Sequence, residues 1–447
     1  MREGSLEAPT RRVIDWQDPD WSDPVKLDAE MRRQFDVCHT CRRCFNLCDA
    51  FPRLFDLIDE SPTGEIDAVP GEKLGAVVES CTLCDMCFMT KCPYVPPHPF
   101  NIDFPHLMLR ARAADLKRGK ADFAAGQLSE TDRNGRLAGA VAPLANWGSD
   151  VKNRLTRPLL ETLAGIDRRA DLPKFHGRTF VMRARKAMPP RNTEAPARAR
   201  KVAIFATCSV NYNNPRIGEA LLAVLAKNGV ETAVVYPGCC GMPSWERGDL
   251  ARVADAARAT AAHFAPWLER GFDVVTPVPS CALMLKSEWP LIVADDPAVT
   301  RLAAATFDAS EYLVDIAKKE GLASGMTPLP GGITVHLACH ARAQNIGAKA
   351  AELLRLIPEA DVAVIERCSG HGGSWGVFKA NFDTALKVGA PVARQAVKND
   401  KMFVASECPL AAAHIVQGME RVKDGSTAPA PSNHPIELLA RAYGVLP

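Results

Sequence analysis

The stretch "KVAIFATCSVNYNNPRIGEALLAVLAKNGVETAVVYPGCC", Lys201–Cys240, decides the fold of the second half of this chain. It opens with a short apolar, β-branched run that predicts a strand. A helix follows that carries Leu221 and Leu225 on one face and is expected to end near Gly229. The next apolar run, residues 232–237, predicts a second strand. Strands that alternate with helices in this way predict a parallel α/β sheet.

The same pattern returns about 130 residues further along the chain, which indicates a duplicated unit. The second copy begins with "ITVHLACHARAQNIGAKAAELLRLIPEADVAVIERCSGHGGSW", residues 333–375, and continues to Cys408. Each copy has three predicted strands, and each strand is closely followed by a cysteine. The equivalent pairs are Cys208 and Cys339, Cys239 and Cys368, and Cys281 and Cys408. Ligands bind such sheets beyond the carboxyl ends of the strands, so the cysteines of each half are expected to converge there. For any single cysteine, a place in the core is the plain alternative.

Eight further cysteines lie upstream, in two closely spaced runs. "CHTCRRCFNLC", residues 38–48, reads C-x2-C-x2-C-x3-C, and "CTLCDMCFMTKCP", residues 81–93, reads C-x2-C-x2-C-x4-C-P. Three thiolates at this spacing wrap one face of an iron–sulfur cluster, and the fourth reaches the other cluster. Structural zinc is the alternative, although zinc sites usually pair two C-x2-C knuckles. The predicted ligand sets are Cys38, Cys41, Cys44 and Cys92 for cluster one, and Cys81, Cys84, Cys87 and Cys48 for cluster two.

The composition is that of an ordinary globular protein. Of the 447 residues, 47% are hydrophobic and 24% are charged, and the net charge of +2 gives no reason to expect a nucleic-acid partner. No apolar run is long enough for a transmembrane helix, and the polar N-terminus does not resemble a secretory signal. We therefore expect a cytoplasmic location, where thiols stay free or bind metal.

The middle of the chain is basic. Residues 117–201 contain 19 Lys or Arg and 8 Asp or Glu. Leu155, Leu159, Leu160 and Leu163 follow a helical spacing, which is typical of a basic amphipathic helix on the inner face of the cell membrane. A solvated linker, or a helix packed on a neighbouring domain, is the alternative, and Pro158 favours it by interrupting the pattern.

The "CCG" at residues 239–241, with one cysteine before it and one after it, resembles the cysteine-rich CCG domain. The order of cysteine runs, linker and doubled domain resembles the iron–sulfur C subunit of anaerobic glycerol-3-phosphate dehydrogenase, within the heterodisulfide reductase-related (Fe-S)-binding oxidoreductases. The resemblance implies an α/β fold for two CCG halves and a ferredoxin-like α+β domain, of the α-helical ferredoxin type, with two [4Fe-4S] clusters. The predicted division is an N-terminal extension (1–30), the ferredoxin domain (31–115), a basic linker with amphipathic helices (116–200), and the two CCG halves (201–325 and 326–447).

The resemblance also implies one or two further iron–sulfur clusters in the CCG domain. The first half keeps four thiols, but in the second half Ser369 stands where the second CCG cysteine is expected. Histidine can replace cysteine on iron, so His371 is a candidate for the missing ligand, and a degenerate or empty site is the alternative. The predicted ligands are Cys208, Cys239, Cys240 and Cys281 in the first half, and Cys339, Cys368, Cys408 and His371 in the second.

The predicted function is electron transfer. No G-x-G-x-x-G follows a predicted strand, so the chain needs a partner to collect electrons. The resemblance implies a flavin dehydrogenase that is similar to glycerol-3-phosphate dehydrogenase, with a membrane quinone or another acceptor. A heterodisulfide reductase-like thiol/disulfide oxidoreductase is an alternative, but the fifth cysteine of those proteins is replaced by Met284 and Ala411. A soluble electron donor to a rubrerythrin-type peroxidase is a third hypothesis. The sequence assigns no catalytic residue.

Overall fold

The computed structural model describes residues 8–120, 122–422 and 432–446. The first residues of the predicted extension and parts of the second predicted half therefore lie outside the described residues. Two four-stranded parallel sheets form the cysteine-rich part of the molecule. The described residues before Lys201 form helices and turns and no strand.

The two upstream cysteine runs lie on a bundle of short helices. Phe51 and Phe104 pack with their ring centroids 4.6 Å apart, and the ring centroid of Phe35 lies 5.7 Å from that of Phe104. Because residues 31–115 contain no strand, an α+β fold is wrong for this region, while the ferredoxin assignment itself stays a prediction. The helices are α1 (Pro24–Cys41), α2 (Ala50–Asp59), α3 (Gly75–Ser80), α4 (Met86–Thr90) and α5 (Phe104–Lys117), with 3-10 turns at Pro19–Ser22, Ile66–Ala68 and Gly71–Leu74.

The basic middle of the chain forms five short helices. Leu155, just before the helix that carries the leucine pattern, and Leu159 and Leu163 within it are 78%, 56% and 76% exposed. The packed face of that helix is polar instead, because Arg157 is buried and donates to the carbonyl groups of Asp167 and Ala170, at 2.7 Å each. The five helices are α6 (Phe123–Ser129), α7 (Thr131–Ala140), α8 (Ala142–Gly148), α9 (Thr156–Ala164) and α10 (Phe180–Lys186).

The first CCG half is a parallel sheet with the strand order β2-β1-β3-β4. Ile204 in the central strand β1 (Lys201–Phe205) pairs with Val234 on one side and Val275 on the other, which buries an apolar centre. The other elements are α11 (Pro215–Lys227), β2 (Glu231–Val235), α12 (Met242–Glu246), α13 (Leu250–Glu269), β3 (Asp273–Thr276), α14 (Pro279–Leu283), α15 (Trp289–Ile292), α16 (Pro297–Ala304), β4 (Thr306–Asp308) and α17 (Ala309–Lys319), with π-helical turns at Ser209–Asn213 and Met284–Glu288.

The second half repeats the first. Its strand order, β6-β5-β7-β8, is the order of the first sheet, and all its pairs are parallel, so the predicted duplication is confirmed. The fourth strand of each sheet was not predicted. The elements are β5 (Ile333–His336), α18 (Cys339–Ala343), α19 (Lys349–Leu354), β6 (Val362–Ile365), a 3-10 turn (Trp375–Val377), α20 (Phe382–Asn399), β7 (Phe403–Ser406), α21 (Pro409–Val422), β8 (Ser432–Asn433) and α22 (Pro435–Ala442).

One apolar core runs from the helices of the cysteine runs through both sheets. Buried polar contacts also join the parts. Arg11 pairs with Asp85 at 2.7 Å, with Asp103 at 3.1 Å and with Glu288 at 3.0 Å, so it links the N-terminal extension to the second cysteine run and to the first CCG half. Among the described residues, no helix combines the length and the apolar character needed to cross a membrane.

Candidate functional site

The first predicted ligand set lines one small pocket. Cys38 and Cys41 lie on the last turn of α1, and Arg42, in the left-handed conformation with φ 49°, ends the helix and turns the chain toward Cys44. Cys92 closes the pocket from the other run, beside the apolar side chains of Phe51 and Ile102. Burial and neighbouring thiolates raise the pKa of Cys44 to about 12, and burial raises that of Cys92 to about 11. The fold therefore brings together the four thiols that the sequence predicted.

The second predicted set is also brought together. Burial, followed by the neighbouring thiolates of Cys84 and Cys81, holds the pKa of Cys48 well above its ordinary value. The pKa of Cys87 is raised in the same way, with Cys84 first among its neighbouring thiolates. The chain wraps these sulfurs through two left-handed residues, Leu83 at φ 50° and Asp85 at φ 63°.

The four thiols of the first CCG half converge at the carboxyl edge of their sheet. The Sγ atoms of Cys208 and Cys239 are 3.6 Å apart, and those of Cys240 and Cys281 are 3.2 Å apart. Contact with Cys208 lowers the pKa of Cys239, and the same contact raises the pKa of Cys208, because one proton is shared between them. Gly241, at φ 85°, turns the chain from this pair into α12.

A segment of the basic linker covers this edge, which sequence reasoning missed. The backbone N–H of Cys239 donates to Asp132 Oδ2 at 3.0 Å, and the hydroxyl of Tyr236 donates to the other carboxylate oxygen. Thr131 places its hydroxyl beside the thiols of Cys208 and Cys239. No local signal could have revealed these contacts, because the linker helix is about 100 residues upstream and contains no cysteine.

The three cysteines of the second half also follow their strands, and they meet a neighbour that was not predicted. Burial comes first among the causes that hold the pKa of Cys339 high, and Cys84, Cys368 and Cys408 follow. Cys84 and Cys339 pack against the same small apolar cluster. Burial, followed by Cys368, likewise raises the pKa of Cys84 to about 12. The second half therefore faces the second upstream ligand set.

Two histidines lie around the position of the missing cysteine. The ring of His371 is 5.9 Å from the ring of His414, and burial, with His414, lowers the pKa of His371 to about 3. Nε2 of His414 is buried without a partner among the described residues. His340, in contrast, contacts Ser280 Oγ at 2.8 Å and the carbonyl of Leu83 at 3.4 Å, so both of its nitrogens are engaged. The assignment of His371 as a ligand stays a prediction.

Glu246 lies where the two halves meet. Its carboxylate occupies the space in which a Cβ at Gly373 would stand, and its backbone carbonyl accepts from Arg112 at 2.7 Å. Burial raises the pKa of this carboxyl group to about 7; Arg112 opposes the shift and Cys239 adds to it. No motif in the sequence marks this residue.

The donor set suits iron–sulfur chemistry. All 15 cysteines are free thiols, and they are brought together in two groups of four, another group of four in the first half, and a group of three in the second. Soft thiolate donors in fours are the ligands of iron–sulfur clusters. Within the described ranges, no three His, Cys, Asp or Glu side chains are arranged to hold a single metal ion.

Comparison with known proteins points in the same direction. A family model for a cysteine-rich (CCG) domain matches residues 202–286 and 333–415. The C subunit of anaerobic glycerol-3-phosphate dehydrogenase from Escherichia coli (strain K12) is 29% identical over 321 residues, which cover 70% of this chain and 76% of that protein. Lactate utilization protein A of Bacillus cereus (strain B4264) is 30% identical over 189 residues, which cover 40% of this chain and 74% of that protein.

Proposed function

Because the chain belongs to the family of cysteine-rich (CCG) domain proteins that includes lactate utilization protein A and the C subunit of anaerobic glycerol-3-phosphate dehydrogenase, we propose that it is an iron–sulfur electron-transfer subunit. One observation carries the proposal. The two upstream sets and the second-half thiols are neighbours, because Cys44 acts on Cys87 and Cys84 acts on Cys339. Glu246 lies between the two CCG halves, near Cys239 and Cys408. A connected series of redox sites is what transfer across a chain requires.

The placement of the thiols supports the following ligand assignment. Two [4Fe-4S] clusters would be held by the two upstream sets, a third by the four thiols of the first half, and a fourth by Cys339, Cys368 and Cys408 with His371. Iron–sulfur clusters take up and release single electrons. The chain supplies the sulfur ligands, surrounds them with apolar side chains such as Phe51 and Ile102, and keeps their pKa values high until metal replaces the protons.

The partner on the donor side is proposed to be a flavin dehydrogenase. The similarity to a subunit of a glycerol-3-phosphate dehydrogenase supports this choice, since that relative acts within a dehydrogenase. The chain itself would receive electrons from such a partner and would not bind its substrate.

The acceptor is proposed to be a quinone at the membrane, reached through what we call the linker surface. This surface comprises exposed apolar side chains with basic neighbours such as Lys152 and Arg154. An apolar face bordered by basic residues is typical of peripheral contact with anionic lipid. The apolar members are Leu137, Val141, Leu144, Trp147, Val151, Leu155, Leu159 and Leu163.

Anaerobic purification tests the main proposal. Three or four [4Fe-4S] clusters predict roughly 12 to 16 irons per chain, with a matching amount of acid-labile sulfide. Cys41→Ala should remove about four irons through the first upstream set, and Cys240→Ala should remove about four through the first CCG half. A preparation that contains zinc and no acid-labile sulfide contradicts the proposal.

Thiol/disulfide catalysis is the weaker alternative on structural grounds. Met284 and Ala411, at the positions of the fifth cysteines, are buried in apolar surroundings and offer no thiol to a disulfide substrate. The reduced chain is therefore expected not to reduce small disulfides when an artificial electron donor is supplied. Steady turnover of a disulfide under those conditions would favour the alternative.

A further inference from the structure

Contacts on both sides of Thr131 hold the start of α7 against the first CCG half. Just before it, Ser129 Oγ accepts from the guanidinium of Arg247 at 3.1 Å, and Glu130 forms an ion pair with Arg252. Further along the helix, Gly135 lies against the ring of Tyr212 so closely that a Cβ would not fit. These contacts hold the first turn of α7 in a defined position over the cysteine edge.

Within that turn, the hydroxyl of Thr131 is buried and has no hydrogen-bond partner among the described residues. Burial of an unpaired hydroxyl group is unfavourable, so this hydroxyl is expected to gain an acceptor when the site holds its cluster. The site beside it is that of Cys208 and Cys239, because Asp132, the next residue of the turn, accepts the backbone N–H of Cys239 at 3.0 Å.

Asp132 occupies another donor that could otherwise reach the sulfur atoms. Its carboxylate accepts the backbone N–H of Cys239, so this N–H is not available to a sulfur atom of the site. The Thr131 hydroxyl is thereby left as the donor that the linker directs at the sulfurs. A donor from outside the matched domain, residues 202–286, would thus complete the surroundings of the first-half thiols.

We propose that Thr131 is a positioning residue of the first CCG half: when the cluster is bound, its hydroxyl would donate a hydrogen bond to a sulfur atom of that site and set the reduction potential of the cluster. The inference rests on the iron–sulfur ligand set proposed above. Hydrogen bonds to cluster sulfurs are one of the features that set the potential. A donor stabilises the more negative, reduced form, so loss of this donor should lower the potential.

The test is a redox titration of the full chain, followed by electron paramagnetic resonance, with iron and sulfide measured in each sample. Thr131→Val removes the hydroxyl and keeps the shape, whereas Thr131→Ser keeps the donor. Thr162→Val is the matched control, because the hydroxyl of that linker threonine donates to the carbonyl of Pro158, at 3.0 Å, on an exposed face. We expect Thr131→Val to lower the one-electron reduction potential of the first-half cluster by ~59 mV, which corresponds to an about tenfold less favourable reduction. Thr131→Ser and Thr162→Val should keep the wild-type potential.

The outcomes separate this inference from the function on which it rests. An unchanged first-half potential in an iron-loaded Thr131→Val protein overturns the role of Thr131 alone. If Thr131→Val binds no iron in the first half, Thr131→Ser decides the test. That variant must bind iron there and keep the wild-type reduction potential; otherwise the inference is wrong. A wild-type protein without any cluster signal overturns the proposed function together with the inference.

Discussion

The carboxyl group of Glu246 lies close to Arg112, to Cys239 and to Cys408, at the meeting point of the two CCG halves. Burial favours its neutral form, so its pKa rises to about 7 in the folded protein. A raised pKa means that the folded state binds a proton that the unfolded state has released. The contribution of the neutral Glu246 carboxyl group to the free energy of unfolding is therefore fully present below the ordinary glutamate pKa. It is lost as the pH rises through about 7.

Glu246→Gln should abolish this titration. In infrared spectra recorded between about pH 5 and pH 9, the wild-type protein should lose a carboxylic-acid band with a midpoint near pH 7, because the buried Glu246 ionises there, in addition to the band of Asp308, whose pKa burial raises to about 6. The glutamine variant should lack the band at every pH. Glu194→Gln, which changes an exposed glutamate of the linker, should leave the band in place. If the band persists unchanged in Glu246→Gln, it belongs to another carboxyl group and the prediction is wrong.

At the scale of elements, the loop "RCSGHGGSWG", residues 367–376, is positioned by its backbone rather than by its side chains. Gly370 has φ 80° and lies so close to the carbonyl of Ala385 in α20 that no side chain fits. Gly389, one turn further along α20, leaves the same narrow space for the carbonyl of Ser369. The loop therefore rests on α20 at two glycines, and this contact places Cys368 and His371.

Gly389→Ala should displace that loop. A Cβ at position 389 would collide with backbone, which cannot move aside without shifting Cys368, so we expect a loss of about 1–3 kcal/mol in unfolding free energy. We also expect the iron content of the second half to fall while the upstream sets stay loaded. Gly148→Ala is the control, since a Cβ there would meet open space. Equal stability and equal iron content in the two variants would show that the loop does not depend on this contact.

The elements also show how far sequence reasoning reaches. Six strands could be predicted because each is a compact apolar run that ends near a cysteine, as in Ile333–His336. The edge strands Thr306–Asp308 and Ser432–Asn433 could not, because two or three residues carry no period and depend on pairing with β3 and β7. The same limit applies to the site. The spacing of a cysteine run is local information, whereas Thr131 reaches the thiols only through the tertiary fold.

At the scale of the whole molecule, the two ends of the proposed path differ in their surroundings. The second upstream set and the second CCG half are enclosed by each other and by the apolar core. The linker surface, in contrast, exposes many apolar side chains over a short stretch of chain. Exposed apolar surfaces often mark contacts with a membrane or a partner, which supports the membrane contact proposed for the linker surface.

The triple variant Leu155→Gln, Leu159→Gln, Leu163→Gln tests whether that contact is a membrane. Each buried leucine contributes roughly 1.5–3 kcal/mol, so the variant should bind vesicles that contain phosphatidylglycerol at least ~100-fold more weakly than the wild type in sedimentation. Binding of the wild type should also weaken as salt is added, because Lys152 and Arg154 face anionic headgroups through screened charge.

The matched control changes exposed apolar residues outside the linker surface. Val25→Gln with Met402→Gln removes side chains that are 76% and 57% exposed, and it should leave vesicle binding unchanged. Neutral phosphatidylcholine vesicles separate the two contributions, since they keep the apolar term and remove the electrostatic one. If the wild type does not sediment with anionic vesicles, or if the triple variant binds as tightly as the wild type, the linker surface is not a membrane contact. The quinone acceptor would then have to be replaced by a protein acceptor that covers the same leucines.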